Sequence, residues 1–254
     1  MSHTDDEVLA AIELHAVDSL ERLLRGGFDP RSLVRGKPAI RWLTEMYTRS
    51  DRFADCLRLL LDAGGTLDDP RLVAVLLDDE PAIAAAIRHD PSYVGHRTTL
   101  SSAYTPLVGA TLLHVAAEFG HVRAARALLS HGADVDARAS MDEDGLDGHT
   151  ALFHTVNAHG NRSLPVLRLL LEAGAAPDVR LPGITWGRGF EWETTCLDVT
   201  PISYAQLGLL PQMHRAEADI YANIALLLEA SGRAVPRLRN VPNRYLRPRD
   251  RGGS

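Results

Sequence analysis

The sequence predicts an all-α solenoid of about six helix-pair units joined by hairpin-like fingers, and three observations carry that expectation. First, the phrase LLxxGA returns down the chain, as LLLDAGGTLD at 59–68, ALLSHGAD at 127–134 and LLLEAGAAPD at 169–178, with looser copies RLLRGGFDP at 22–30 and LLLEASGR at 226–233. Second, the glycines at 26, 64, 132 and 174 lie 38, 68 and 42 residues apart, and a gap of 68 is close to two units of about 34 residues. Third, aromatics make up only 6% of the chain, so Leu and Ala must supply most of the core, and both lose little rotamer freedom in a helix.

The units fall at about 4–30, 37–68, 70–98, 109–138, 147–180 and 198–232, which assigns residues 1–232 to the solenoid and 233–254 to a tail. The fourth shows the logic of all. ATLLHVAAEFG is a first apolar stretch, and Gly120-His121 punctuates it. Val122, Ala125, Leu128 and Leu129 then mark a second helix by their spacing. Gly132 sits just past its end, where a left-handed residue is wanted and glycine meets no steric penalty. Neither helix is long enough to stand alone, and each must hide its apolar side on a neighbouring unit. The third unit, with RLVAVLLDDEPAIAAAIRHDP at 71–91, is the most degenerate.

ATLLHVAAEFGHVRAARALLSHGADVDA at 110–137 resembles the ankyrin repeat over its full length. Thr111, Leu113, His114, Ala116, Ala117, Gly120, His121, Leu128, Leu129, Gly132, Ala133 and Asp134 fall on the family's positions, with Leu112 where its proline usually stands. Thr111, His114, Gly120, His121, Gly132 and, one unit later, Gly174 are thereby structural motif residues. The fifth unit matches with Phe153 in the histidine position and about three extra residues between Thr150 and Leu170. The last opens with DVTPISYA, has Ser203 in that position, and carries roughly ten extra residues, GLLPQMHRAE, between its helices. The resemblance implies a protein–protein interaction module that binds through its fingertips and the exposed sides of its first helices. Candidate partner contacts lie on the last three units: Glu118 and Phe119, Asn157 and His159, and a finger carrying Trp186, Arg188, Phe190 and Trp192.

Two fingers are longer than a repeat requires. ASMDEDGLDGH hints at a calcium loop but lacks the full spacing and the closing glutamate, so it reads as a solvated acidic tip. RLPGITWGRGFEWETTCLDVT brackets Arg188 with aromatics, as binding hot spots do, yet the same rings could pack back and cap the stack. Six histidines fall between 114 and 159. His114 and His121 read as structural, while His149, His154 and His159 are five apart, which does not align them on one helical face, so no metal site is expected. Glu191 and Glu193 flank Trp192 without sign of a cleft, and neither Cys56 nor Cys196 has a specified base beside it. No cofactor fingerprint and no enzyme motif is present, and the expectation is a non-enzyme without cofactor.

Charge and hydropathy complete the reading. The acidic start MSHTDDEVL is unlike a secretory signal, no apolar run is long enough for a membrane span, and two cysteines make no disulfide framework. A cytoplasmic monomer binding another protein is the expectation. The net charge is −6, but residues 233–254 hold seven arginines against Asp250, a segment of +6 that leaves −12 on residues 1–232. That tail either lies along its own acidic solenoid, serves as an arm for nucleic acid or an acidic partner, or is solvated without a task; the first is favoured by its tethering. An accessory subunit that regulates or protects an enzyme, and nucleic-acid binding through the tail, are the alternatives to the protein-binding module.

Overall fold

First helices and leucine-rich second helices alternate along the chain, and the computed structural model describes them over residues 4–102 and 104–236. The order begins with α1 (Asp5–Glu13) and α2 (Val17–Arg25), the β1–β2 hairpin (Leu33–Val34 with Lys37–Pro38), then α3 (Ala39–Glu45) and α4 (Phe53–Asp62). The short α5 (Leu72–Leu76) and α6 (Glu80–His89) follow, then a second hairpin, β3 (Arg97–Leu100) with β4 (Leu107–Thr111). Next come α7 (Leu112–Phe119), α8 (Val122–Ser130) and α9 (Leu164–Glu172). A third hairpin pairs β5 (Leu181–Trp186) with β6 (Thr194–Val199), and α10 (Pro201–Gln206) and α11 (Glu217–Ala230) close the described chain.

Stacking is like on like. The first helix α1 packs on α3 and α5 on α7, while α2 packs on α4, α6 on α8, α8 on α9 and α9 on α11. Leu20, Leu57, Leu60, Ile83, Leu128, Leu167, Leu170 and Leu227 from the second helices are fully buried in one continuous apolar core. This is the burial that single units of two to three turns cannot achieve alone.

The expectation of an all-α chain is corrected by the three antiparallel hairpins. The fingers before α3, α7 and α10 are two-stranded antiparallel ribbons, whereas the one at 138–150 is held by the isolated bridges Arg138–Thr150 and Met141–Asp147; in β5, Leu181, Gly183, Ile184 and Thr185 are buried while Pro182 is exposed. The fifth unit also departs from two plain helices. Its first helix is reduced to a 3-10 turn at Ala151–His154 and another at His159–Asn161, because Gly160 and Asn161 adopt left-handed backbone and halt any longer helix. In the first unit the left-handed glycine after the helix is Gly27, one residue beyond the Gly26 counted in the repeat spacing; Gly132 holds that conformation as expected, and Gly174 holds it too.

His114 shows how one unit is fixed to the next. The Thr111 N–H donates to His114 Nδ1 at 3.2 Å, the Thr111 hydroxyl lies 2.8 Å from the same nitrogen, and Nε2–H donates to the His149 carbonyl of the following unit at 3.1 Å. The imidazole therefore caps its own helix and ties the neighbouring chain. At the equivalent positions Phe153 is buried and packs 5.8 Å from the Tyr204 ring, while the Ser203 hydroxyl accepts from Thr200 N–H at 2.8 Å and closes only its own turn. Further ties run from Ala124 N–H to Asp78 (2.7 Å), Ala176 N–H to Asp136 (2.9 Å) and Asn223 Nδ2 to the Val156 carbonyl (3.0 Å).

The favoured docking of the basic tail on the solenoid falls on residues of which 237–254 lie outside the described ones. Replacing His114 with Ala strands a buried helix start and a buried carbonyl together. A loss of about 2–3 kcal/mol of stability is expected from a lost cap plus a lost buried bond, read from urea unfolding. A change near zero would show that the imidazole is not the tie.

Candidate functional site

Five of the eight candidate contact residues line a single cleft. Glu118, Phe119, Asn157, His159 and Trp186 face it together with Tyr47, Arg49, Tyr104, Thr105, His154, Arg162 and Arg215. Its parts come from far apart in sequence. The α3–α4 connection supplies Tyr47 and Arg49, the β3–β4 finger Tyr104, and the end of α7 Glu118 and Phe119. The irregular turns before α9 supply His154 to Arg162, the tip of β5 Trp186, and the insertion before α11 Arg215. The connection reaches so far because α5 is only five residues long; Phe53, at the start of α4, packs 4.8 Å from the Phe119 ring.

Glu118 is the buried centre. Its Oε2 accepts from His154 Nδ1–H at 2.8 Å, and its Oε1 accepts from the Ser102 hydroxyl at 3.1 Å and lies 3.6 Å from Arg49. Burial alone would raise its pKa, but the His154 hydrogen bond and charge, with Arg49, outweigh it and hold the carboxylate below its ordinary range. The Arg49 side chain is 10% exposed, lies 4.3 Å above the Phe119 ring, and donates to the backbone carbonyls of Met46, Thr48 and Thr44. Among the described residues its Nε is buried without a partner, as is that of Arg162. Arg162 also meets Asp51 at 2.8 Å, and Arg215 donates to the carbonyls of Asn157 (2.7 Å) and Met213 (2.6 Å).

The aromatic finger divides between its two expected roles. Trp186 packs back, stacked on Tyr104 at 5.6 Å and half-buried, whereas Phe190 and Trp192 stack on each other at 4.7 Å and stay 38% and 40% exposed. Arg188 is committed to the neighbouring finger, where it donates to Asp142 (2.7 Å) and Asp147 (3.2 Å). The solvated acidic tip is thus corrected in part. Asp147 is buried and also accepts from Thr185 N–H at 3.1 Å, Asp142 accepts from Leu146 and Asp144 N–H, and only Glu143 and Asp144 face water.

The comparison with known families agrees with this architecture. A family model described as ankyrin repeats (3 copies) matches residues 8–180. The chain belongs to the ankyrin repeat family. Repeats of this family are generally protein–protein interaction modules. A solved structure, the crystal structure of the ankyrin repeat protein EF0377, aligns over 90% of this chain and 98% of its own, at 18% identity and a TM-score of 0.39. No curated protein matches the sequence. Among the described residues no helix is long and apolar enough to cross a membrane, and no cluster of His, Cys, Asp or Glu is arranged to hold a metal ion.

In this ankyrin stack the buried histidines form a chain that sequence spacing did not reveal. His149 and His154, five residues apart, are brought together by the 3-10 turn, with their Nε2 atoms 3.1 Å apart, while His159 stands exposed on the cleft. Also missed were Arg49, Arg162 and Arg215. All three stand where extra residues break the repeat register, and that irregularity was the available signal. The thiols are not activated, because burial raises both and carries Cys56 to about 11.

Burial pushes His114 down to about 3, with the nearby His154 adding to it, and His121 to about 4. Burial, then Arg49 and Arg162, push His15 to about 4, and burial with His154 and His114 holds His149 well below its ordinary value. These rings are neutral in the fold and protonate on unfolding below about 6.5. Their contribution is therefore complete above pH 6.5 and falls away as pH drops toward their folded values. Denaturant unfolding at stepped pH is expected to show uptake of about three to four protons near pH 5. A stability that stays flat between neutrality and that pH would contradict the neutral assignment.

Proposed function

We propose that the chain is a non-catalytic protein-binding module of six stacked units over residues 1–232. Its partner lies across the fingers and first-helix side of the last three units. The observation that carries this reading is the coincidence of one cleft, lined by Glu118, Phe119, Asn157, His159 and Trp186, with the exposed Phe190–Trp192 pair on the finger that Trp186 roots. An exposed, pre-stacked aromatic pair on a rigid ribbon gives contact area at little ordering cost.

The ties around it support rigidity. Arg188 clamps this finger to the acidic one, Trp186 stacks on Tyr104, and Gly187 N–H donates to the Tyr104 carbonyl at 3.2 Å. Arg188 thus acts by holding the display surface. Glu118 and Phe119, both buried, shape the floor of the cleft, and His159, Phe190 and Trp192 meet the partner directly.

A photo-crosslinking residue placed at Trp192 or His159 in cells is expected to trap one partner that the same residue at exposed Arg126 or Arg168, on α8 and α9, does not. With that partner purified, the paired substitutions Phe190→Ala and Trp192→Ala are expected to weaken binding by about tenfold or more. Unchanged affinity in a folded double variant contradicts the assigned surface.

A further inference from the structure

The cleft has a charge opposite to that of the body that holds it. Residues 1–232 carry −12, yet the lining contributes three arginines, Arg49, Arg162 and Arg215, against one carboxylate. That carboxylate is already engaged, since His154, Ser102 and Arg49 surround both oxygens of Glu118. Among the described residues the hydrogen bonds of Arg215 go to backbone carbonyls and none to a carboxylate. Arg162 carries a buried Nε with no partner among the described residues and meets Asp51 across a pair whose acid is 96% exposed, a contact that solvent screening makes weak and exchangeable. The walls beside these cations are flat and apolar: Tyr104 stacked on Trp186, and Phe119 beneath Arg49.

We infer that this cleft is a carboxylate-reading subsite: the partner presents an acidic side chain whose carboxylate is received by Arg162 and Arg215, while its aliphatic stem lies against the wall made by the stacked Trp186 and Tyr104. The inference rests on the protein-binding reading above and adds the chemistry of the partner's central contact. Guanidinium groups offer paired donors to a planar carboxylate, and partial enclosure beside an aromatic wall strengthens each charge-assisted bond. The solvent-reachable space of about 40 Å³ suits the flat tip of a carboxylate. The −12 body around it repels acidic chains that miss the cleft, so the same charges that would weaken general acidic binding sharpen this one.

The test follows the arginine Nε–Hε resonances of the full chain by NMR while glutamate blocked as its N-acetyl methylamide is added, with blocked glutamine and blocked phosphoserine in parallel. Blocked glutamate is expected to move the Arg162 and Arg215 signals saturably, and blocked glutamine to leave them in place. Arg162→Gln and Arg215→Gln, each first shown to retain the parent melting temperature, are expected to weaken that binding by about fivefold or more. Arg168→Gln, on the exposed face of α9 and outside the cleft lining, is expected to leave it unchanged. The inference is overturned by an absent or unsaturable glutamate response, by an equal response to glutamine, by unaltered affinity in both folded arginine variants, or by tighter binding of phosphoserine. If Arg215 cannot be replaced without unfolding, Arg162→Gln alone decides. Failure here with a partner still lost on Phe190→Ala and Trp192→Ala leaves the module standing without its carboxylate subsite. The reverse result removes the module reading and leaves a carboxylate site of other purpose.

Discussion

Each helix pair in this chain has more apolar surface than it can cover by itself, and the fold is the consequence of that shortage. α7 has eight residues and α8 nine, lengths at which an isolated helix is unstable in water. Leu128, Leu167 and Leu170 are fully buried because α8 lies on α9, not because either helix folds on itself. Hydrophobic stacking is non-directional, so the direction has to come from polar ties. His114 is the clearest, since it satisfies its own helix start and the next unit's carbonyl with one ring. Where Phe153 and Ser203 replace it, register is held instead by Asn157 on the Tyr204 carbonyl and Asn223 on the Val156 carbonyl.

The same constraint explains where function can sit. A stack that spends its consensus residues on mutual burial leaves chemistry to the positions that do not repeat. The five-residue α5 lets the Arg49 loop reach α7, the extra residues of the fifth unit bring in Arg162, and the insertion before α11 brings in Arg215. Three departures from regularity converge on one cleft. The long finger adds Trp186 as a wall and leaves Phe190 and Trp192 facing outward, while Arg188 and the two buried-side aspartates keep the finger from swinging.

This division also decides what was readable beforehand. Gly132 and Gly174 announce their helix ends because a left-handed residue after a Leu-rich helix has few alternatives to glycine. Gly26, counted in the repeat spacing, stands one position short, since two adjacent glycines offer the chain a choice that only packing resolves in favour of Gly27. The hairpins were visible only as fingers, because a ribbon such as Leu33–Val34 with Lys37–Pro38 is too short to show alternation. Among the candidate contacts, Glu118 and Asn157 were found from their place in the repeat, and Trp186 from the aromatic cluster of its long finger. Arg49, Arg162 and Arg215 were not, because nothing local to an arginine in a loop tells which distant unit it will meet. His149 and His154 stand five apart, a spacing that matches neither helix nor strand, and only the 3-10 turn at Ala151–His154 makes them neighbours.

Hydrogen exchange of a Leu128→Ala chain, followed by mass spectrometry, measures most directly whether units hold one another up. Leu128 lies in α8, which packs on α6 before it and α9 after it. Faster exchange is predicted in α6 and α9 as well as in α8, with protection lost on both sides of the cavity. Exchange that rises in α8 alone, with both neighbours as protected as in the parent, would mean that each unit is stable by itself and that stacking is not what makes this chain fold.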